Sequence, residues 1–441
     1  MSLHRRLASQ SSIIFAARLG GAGLIFLAQA FIARLWGPVL LGEYLVVIAT
    51  VNIVAVLMPL GFQTVGTYFA AEYRARGERR QFTQFLLRCY GHVIGVFVLL
   101  LGLGLPVLSA IGQGESVLAL HFVPLLLLAL ATAINYVSGA VLIGLKRPFA
   151  GFFADAIFRP MVILGSFAGG LVFTDPNAGF SFMLWAIGSC YILVSLAQFL
   201  FVITSVKRIA DQFPVRASET RRWWRFALPW VLISLATDFF FDIDLLLLSQ
   251  SLSREELAIF GVCTRIFSLV SFGVAAVDAV TLPDMFESEA NADRASFNRK
   301  IGEANVVASG LSVILFGVMA IGAPFALMLF GPAFSAGAAP LAVLCLGLVV
   351  RSVMGPASLV LSIHDRPYAS LPSVALGMGT LLLANWLLVP PYGLMGSAVA
   401  ALISITVWSV GQWWIALHNT KVDVSILAWF RGRRAVVIPA Q

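Results

Sequence analysis

Charged residues are scarce in this sequence. Lys and Arg (29) together with Asp and Glu (21) make up only 11% of its 441 residues, whereas a soluble domain carries about a quarter. This scarcity excludes a soluble globular protein, and the 60% hydrophobic content excludes intrinsic disorder, which requires low hydrophobicity and high charge. The apolar residues suffice for roughly twelve membrane spans of ~20 residues each.

Cysteines and catalytic motifs are also few. The four cysteines, Cys89, Cys190, Cys263 and Cys345, are far apart and form no C-x-x-C pair, so neither a disulfide framework nor a structural zinc site is expected. None of the four lysines follows a glycine, which excludes a Walker A motif, and the five histidines have no metal-ligand spacing. The connections between apolar runs are short. We therefore expect no cofactor, no metal and no enzymatic activity.

What the sequence does contain is a series of long apolar runs. They are continuously apolar, without the alternation of a membrane strand, so they predict helices. The first run could belong to a signal peptide, but it is longer than a signal h-region and is better interpreted as a span. We predict an all-α polytopic membrane protein with about twelve transmembrane helices, at 12–35, 41–70, 86–111, 118–145, 151–173, 180–206, 226–251, 256–283, 301–330, 338–363, 368–389 and 393–418.

The basic residues are distributed asymmetrically over this map. Of the 29 Lys and Arg residues, 23 lie in the termini, in the connections after even-numbered spans, or, for Arg88, just inside the start of span 3. Only Arg254 lies in a connection after an odd-numbered span, and the other five lie inside spans. The positive-inside rule then predicts that both termini are cytoplasmic.

The two halves of the chain resemble each other. Leu41-Gly42-Glu43-Tyr44 aligns with Leu257-Ala258-Ile259-Phe260, and Lys146-Arg147-Pro148-Phe149 aligns with Asp365-Arg366-Pro367-Tyr368. Chance similarity between apolar segments is the alternative explanation. A repeat of six spans, an even number, gives two six-helix lobes of the same orientation, related by an axis along the membrane normal, with a central cavity between them.

The predicted domains follow from this repeat. They are an N-terminal lobe at 1–206, a basic cytoplasmic linker at 207–225, a C-terminal lobe at 226–418 and a cytoplasmic tail at 419–441. The linker combines arginines with two tryptophans, a composition that suits an anionic membrane surface better than nucleic acid.

Ionisable residues inside the spans are the candidate functional residues, because burying a charge in a bilayer is costly. Asp155 with Arg159 and Asp238 with Asp242 are each four residues apart and share a helical face. Such pairs could also only neutralise each other and fix helix packing. The candidate substrate-binding residues are Arg18, Arg159, Arg265 and Arg351, and the candidate ion-coupling or charge-pairing residues are Asp155, Asp238, Asp242 and Asp244.

Two of these arginines favour an anionic ligand. Arg18 and Arg351 have no acidic residue within their own predicted spans. A guanidinium is always charged and offers paired donors that fit phosphate. For Arg18, near the inner end of its span, snorkelling to the membrane surface is the competing explanation, whereas Arg351 is too central for it.

Several segments resemble bacterial polysaccharide flippases, which share a superfamily with multidrug exporters and the lipid II flippase. They are Leu35-Trp36-Gly37-Pro38, Gly42-Glu43-Tyr44, Pro59-Leu60-Gly61-Phe62, Ala70-Ala71-Glu72-Tyr73, Asp244 through Leu248, Phe330-Gly331-Pro332-Ala333-Phe334, Arg366-Pro367 and Pro391 through Ala398. Their order covers nearly all of 10–418. Leu245 stands where the family commonly has a basic residue after Asp244, which puts the role of this aspartate in doubt.

The resemblance implies a function and partners. These are the flipping of undecaprenyl-diphosphate-linked oligosaccharides across the bacterial inner membrane for O-antigen or exopolysaccharide synthesis, with Arg18 and Arg265 in the cavity. Membrane lipids, a polysaccharide polymerase and glycosyltransferases are the other implied partners, and nucleic acid is not one. Two alternatives remain: a cation-coupled multidrug exporter, kept open by Asp238 and Asp242, and a membrane glycosyltransferase or polymerase, disfavoured by the short outer loops.

Overall fold

The computed structural model describes residues 3–209, 219–290, 294–364, 366–427 and 429, which are almost entirely helical. Short π- or 3-10 helices lie at Ala154–Phe158, Pro332–Gly337 and Pro367–Ser370. The α-helices are α1 (Leu3–Trp36), α2 (Pro38–Leu57), α3 (Phe62–Arg76), α4 (Arg79–Ala110), α5 (Val117–Leu120), α6 (Phe122–Gly144), α7 (Pro148–Phe153), α8 (Arg159–Gly170), α9 (Pro176–Val206), α10 (Thr220–Asp238), α11 (Phe240–Leu248), α12 (Arg254–Ala290), α13 (Arg294–Met328), α14 (Ala338–Met354), α15 (Ala357–Ile363) and α16 (Leu371–Thr420).

The helices confirm the predicted fold class, an all-α polytopic membrane protein. Within the described ranges, ten segments are long and apolar enough to cross a membrane. One of them, Tyr368–Thr420, corresponds to two predicted spans, because the backbone at Gly393 is not helical (φ 51°, ψ −129°). The predicted span at 226–251 is absent from the ten.

Three of the predicted spans are not continuous helices, contrary to our expectation. The span at 226–251 breaks at Phe239, between α10 and α11, and the span at 338–363 breaks at Gly355-Pro356, between α14 and α15. The span at 41–70 breaks between α2 and α3, where Pro59 has no N–H to donate and Gly61 has φ 85°. A side chain at Gly61 would also collide with the Ala227 carbonyl, so this turn requires glycine.

The chain forms two compact units, Met1–Ile243 and Asp244–Gln441. In the first unit the buried helix α6 packs against α2, α3, α4 and α9, and α10 packs against α2 and α3. In the second unit α14 packs against α12, α13 and α16. Of the predicted linker and tail, residues 210–218, 428 and 430–441 lie outside the described residues, and the four predicted domain limits stay a proposal.

Local geometry supports the internal repeat. Arg147 and Arg366 have nearly the same backbone angles (φ −121°, ψ 57° and φ −121°, ψ 43°), and each is followed by a proline that opens a short helix. Their N–H groups donate to Leu142 and Leu361 at the same distance, 2.8 Å. The two aligned turns therefore have the same local geometry, as the internal repeat predicts.

Candidate functional site

A chain of polar side chains lies inside the first unit, among membrane helices. Arg159 Nη2 donates to Asn52 Oδ1 at 2.9 Å, and Asn52 Nδ2 donates to Asp242 Oδ2 at 3.3 Å. Asn52 and Asp242 are buried, and the Arg159 side chain is 12% exposed. Asn52 thus joins a cation from one helix to a carboxylate from another, so that neither charge is left alone in the low-dielectric interior.

The predicted pair of Asp155 and Arg159 is present. Arg159 Nη1 lies 3.3 Å from Asp155 Oδ1, and the Asp155 side chain is 52% exposed. Asp155 lies within a π-helical turn, Ala154–Phe158, between α7 and α8, and Arg159 follows directly after that turn. Single π-turns occur often at functional sites, and this one sets the direction in which Arg159 leaves the helix.

Close approach of α1 fixes the position of this π-turn. A Cβ on Gly21 would collide with the carbonyl oxygen of Ala156, so only glycine lets α1 come this near. Gly20 and Gly23, one and two positions away, have open space around them. Of these three glycines, only Gly21 is therefore required for the close approach of α1.

Arg18 lies one turn before Gly21 on α1. Its side chain is exposed, and its guanidinium carbon is 4.6 Å from the centre of the Phe152 ring. Within the described part of the chain Arg18 forms no ion pair shorter than 4 Å, although Asp238 is near enough to interact with it electrostatically. Arg18 therefore has donors available to a ligand.

Asp238 and Asp242 do not share a helical face, contrary to our expectation. The break at Phe239 (φ −121°, ψ 19°) lies between them and changes the direction of the chain. Asp238 is exposed and accepts a hydrogen bond from Thr237, whereas Asp242 is buried against Asn52. A four-residue spacing predicts a common face only when the helix is continuous.

The second unit holds the other predicted residues separately. Asp244 is fully buried, and its Oδ1 accepts a hydrogen bond from Asn385 Nδ2 at 2.7 Å, while its Oδ2 has no hydrogen-bond partner within the described ranges. Arg265 lies half-buried on α12. Arg351 is exposed in the last turn of α14, directly before the break at Gly355. Each unit therefore has a charged candidate residue close to a helix break, Asp238 before Phe239 in the first and Arg351 before Gly355 in the second.

Sequence analysis missed the two asparagines that hold these acids. Asn52 and Asn385 are uncharged, so a search for ionisable residues passes over them. The available signal was the presence of a buried amide in an otherwise apolar span, where it must find a partner.

A second polar cluster, also missed, joins α3 to α10. Arg222 Nη2 lies 2.9 Å from Glu72 Oε2, and Arg222 Nη1 lies 3.1 Å from Glu219 Oε2. Tyr73 Oη donates to Glu219 at 2.8 Å and accepts from Trp223 Nε1 at 2.7 Å. We call these five residues the α3–α10 cluster.

Titration behaviour in the α3–α10 cluster follows from burial and charge. Burial raises the pKa of Tyr73 above its ordinary value, the hydrogen bond from Trp223 opposes this, and Glu219 and Glu72 raise it further. Burial lowers the pKa of Arg222, but the hydrogen bonds and charges of Glu72 and Glu219 outweigh it, so the pKa lies above its ordinary value. Arg222 thus stays charged and Tyr73 neutral near pH 7.

Within the described ranges, no group of three or more His, Cys, Asp or Glu side chains is arranged to hold a metal ion.

Comparison with known proteins defines the fold. No family model matches the chain, and no curated protein sequence matches it. Among solved structures, a multidrug resistance MATE family transporter of the MOP superfamily, in an inward-facing conformation, aligns with a TM-score of 0.72 at 16% identity over 93% of this chain and 98% of its own.

Two further structures are similar. The lipid II flippase MurJ, in an inward closed conformation, aligns with a TM-score of 0.72 at 12% identity over 97% of this chain and 93% of its own. A MOP superfamily transporter from Pyrococcus furiosus, described as having a binding pocket of reverse polarity, aligns at 0.65 with 16% identity over 93% and 95% of the two chains. The chain therefore has the fold shared by these MOP superfamily transporters.

Proposed function

We propose that this protein is a transporter that flips undecaprenyl-diphosphate-linked oligosaccharides from the cytoplasmic to the outer leaflet of a bacterial inner membrane, by alternating access. The observation that carries the proposal is the exposed guanidinium of Arg18 on a membrane helix. Among the described residues, Arg18 forms no ion pair. The similarity to the lipid II flippase supports a lipid-linked substrate.

The physical demand of flipping explains why arginines are needed. Each sugar hydroxyl without a partner costs several kcal/mol in hydrocarbon, so the head group must travel along polar protein groups. A diphosphate additionally requires positive charge, and a guanidinium offers two parallel donors to it. Arg18 in the first unit and Arg265 and Arg351 in the second are the proposed diphosphate ligands.

Arg159 has a different role in this proposal. Its donors are directed to Asp155 and Asn52, so it holds the interior of the first unit together. We therefore propose Arg159 and Asp155 as a structural pair.

The test is reconstitution of the purified protein in vesicles with a labelled polyprenyl-diphosphate oligosaccharide, following exposure of its head group on the opposite leaflet without ATP. Arg18→Ala and Arg265→Ala should each slow flipping by about 10- to 100-fold, since a charged hydrogen bond is worth about 1.5–3 kcal/mol. Arg221→Ala, which removes an exposed arginine of α10, is the matched control. Flipping by the Arg18 and Arg265 variants at the wild-type rate would refute the site assignment.

A cation-coupled multidrug exporter is the second candidate. It is favoured by Asp244, which is fully buried with one carboxylate oxygen that has no hydrogen-bond partner within the described ranges. A carboxylate in such a place needs a proton or a cation. Efflux of a cationic dye under an ion gradient, abolished by Asp244→Asn and kept by Glu115→Gln, which changes an exposed carboxylate between α4 and α6, together with no head-group exposure, would establish the exporter and reject the flippase.

The remaining proposals follow from the flippase. The protein would itself catalyse no covalent chemistry, and the polymerase and glycosyltransferases of the same pathway would be its partners. Product formation from sugar donors by the purified protein would contradict the first statement.

A further inference from the structure

A cavity of about 390 Å³ lies where three helices of the first unit end. Arg74 comes from the last turn of α3, Arg147 from the turn between α6 and α7, and Arg208 from the residues after α9. Ser205, Gly77 and Ile209 complete much of its wall. The cavity contains none of the candidate transport residues, and the inference from it does not depend on the proposed function.

One of the three arginines is held in a fixed direction. Arg147 Nη1 donates to Ser205 Oγ at 3.0 Å, and its guanidinium lies 5.1 Å from the centre of the Phe201 ring. Ser205 in turn donates to the Phe201 carbonyl at 2.6 Å. These contacts use one of the five N–H donors of Arg147, so a positioned guanidinium with further donors faces the cavity.

The helix ends do not neutralise this charge. Each helix C-terminus carries about −0.5 of an elementary charge, so the three ends supply about −1.5 against the three positive charges. No acidic residue lines the cavity in the described part of the chain. Glu72 and Glu78, which flank the lining residues 74–77 in sequence, are not part of the cavity wall, and Glu72 lies 2.7 Å from Arg76 and 2.9 Å from Arg222. The three arginines thus leave excess positive charge at the cavity wall, which is opposite in sign to the phosphate of an anionic lipid.

An exposed apolar surface leads away from the cavity. Phe201 packs on Arg147, and Leu193, Leu196 and Leu200 follow along the same helix, α9, with 67%, 46% and 59% of their surface exposed. The cavity lies just beyond the apolar segments that end at Gly144 and Val206. Basic pockets between helices at this level of a membrane bind acidic head groups.

We propose that this cavity binds the phosphate group of an anionic membrane lipid, whose acyl chain lies along the exposed side chains of α9. Arg147 is the preoriented ligand, and Arg74 and Arg208 close on the phosphate from the neighbouring helices. Bound lipid then bridges the ends of α3, α6 and α9 and stabilises the first unit.

The experiment is native mass spectrometry of the full-length protein, released from a zwitterionic detergent and titrated with phosphatidylglycerol or with phosphatidylcholine of the same acyl chains. The wild type should retain phosphatidylglycerol preferentially. Arg208→Gln and Arg74→Gln should each weaken its binding about fivefold, since a basic residue near a membrane surface is worth about 1 kcal/mol. Arg221→Gln, which removes an exposed arginine outside the cavity, is the matched control and should bind as the wild type does.

A parallel titration with glycerol phosphate and inorganic phosphate, read as a rise in the melting temperature, distinguishes the two sources of phosphate. Stabilisation by the soluble anions that Arg208→Gln abolishes, without any lipid preference, would support the phosphate chemistry and overturn the lipid as its source. Equal losses in Arg208→Gln and Arg221→Gln would overturn the cavity as a site, because general surface charge would then account for binding. Melting temperatures without ligand show that each variant is folded.

Discussion

Asn52 is a single uncharged side chain that makes two buried charges compatible with a membrane helix. Its amide oxygen accepts from Arg159, and its amide nitrogen donates to Asp242. A carboxylate at this position could only accept and an aliphatic side chain could do neither, whereas an amide offers an acceptor and a donor on separate atoms. The uncharged Asn52 therefore stabilises the cluster by bridging its two charged neighbours.

Removing this amide should destabilise the first unit. We predict that Asn52→Ala lowers the free energy of unfolding by about 1–3 kcal/mol, because a donor of Arg159 and an acceptor of Asp242 lose their partner in the interior. The measurement is the melting temperature in detergent. Asn177→Ala, which removes an exposed amide, is the control and should change it little. In a double-mutant cycle with Asp242→Asn, additive effects would contradict the bridge.

Tyr73 should make the α3–α10 cluster sensitive to alkaline pH. Its pKa is raised in the folded state above 10.0, so its contribution to stability is complete below about pH 10 and is lost as the pH rises further. We predict that the difference in free energy of unfolding between the wild type and Tyr73→Phe decreases by about 1 kcal/mol between about pH 9 and pH 11. The measurement is denaturant unfolding of both proteins at each pH.

The control for this pH dependence is Phe82→Leu. Phe82 is a fully buried neighbour whose ring centre lies 6.1 Å from that of Tyr73, and its replacement removes packing without removing a titratable group. The wild type should therefore keep a constant advantage over Phe82→Leu across the same pH range. If both differences changed alike, Tyr73 would not be the group that titrates.

At the scale of the element, the apolar runs were enough to predict that helices form, but not where they break. Hydropathy reports whether a segment is apolar and not whether its backbone turns, so 41–70 looks continuous although it turns at Gly61. The break at Phe239 has no proline or glycine at all. Such a break depends on tertiary packing, which no local pattern contains.

The π-turn at Ala154–Phe158 gives a prediction at this scale, because α1 must approach it closely. We predict that Gly21→Ala lowers the free energy of unfolding by about 1–3 kcal/mol, since its methyl group would collide with the Ala156 carbonyl. Gly20→Ala and Gly23→Ala have open space and should be neutral or stabilising by about 0.5–1 kcal/mol, because alanine favours a helix. Equal effects of the three substitutions on the melting temperature would exclude the close approach.

At the scale of the whole molecule, the sequence was sufficient for the fold class and insufficient for the polar contacts. The scarcity of charge and the long apolar runs determine an all-helical membrane protein. The Asp155 and Arg159 pair could also be predicted, because the two residues are four positions apart within one predicted span. The contacts of Asn52 with Asp242 and of Asn385 with Asp244 join residues 190 and 141 positions apart, and no sequence spacing encodes them.

The distribution of basic residues makes a final prediction, that both termini are cytoplasmic. Lys207 follows α9 on the basic side and Glu115 lies in the connection between α4 and α6, and both are exposed. After replacement of the exposed native Cys190 by serine, a membrane-impermeant maleimide applied to intact cells should label Glu115→Cys. It should label Lys207→Cys only after permeabilisation, because the excess of Lys and Arg retains that side in the cytoplasm.

The reverse pattern would invert the orientation, and with it the direction of transport inferred for the flippase. Equal labelling of the two positions in intact cells would show that neither connection is protected by the membrane.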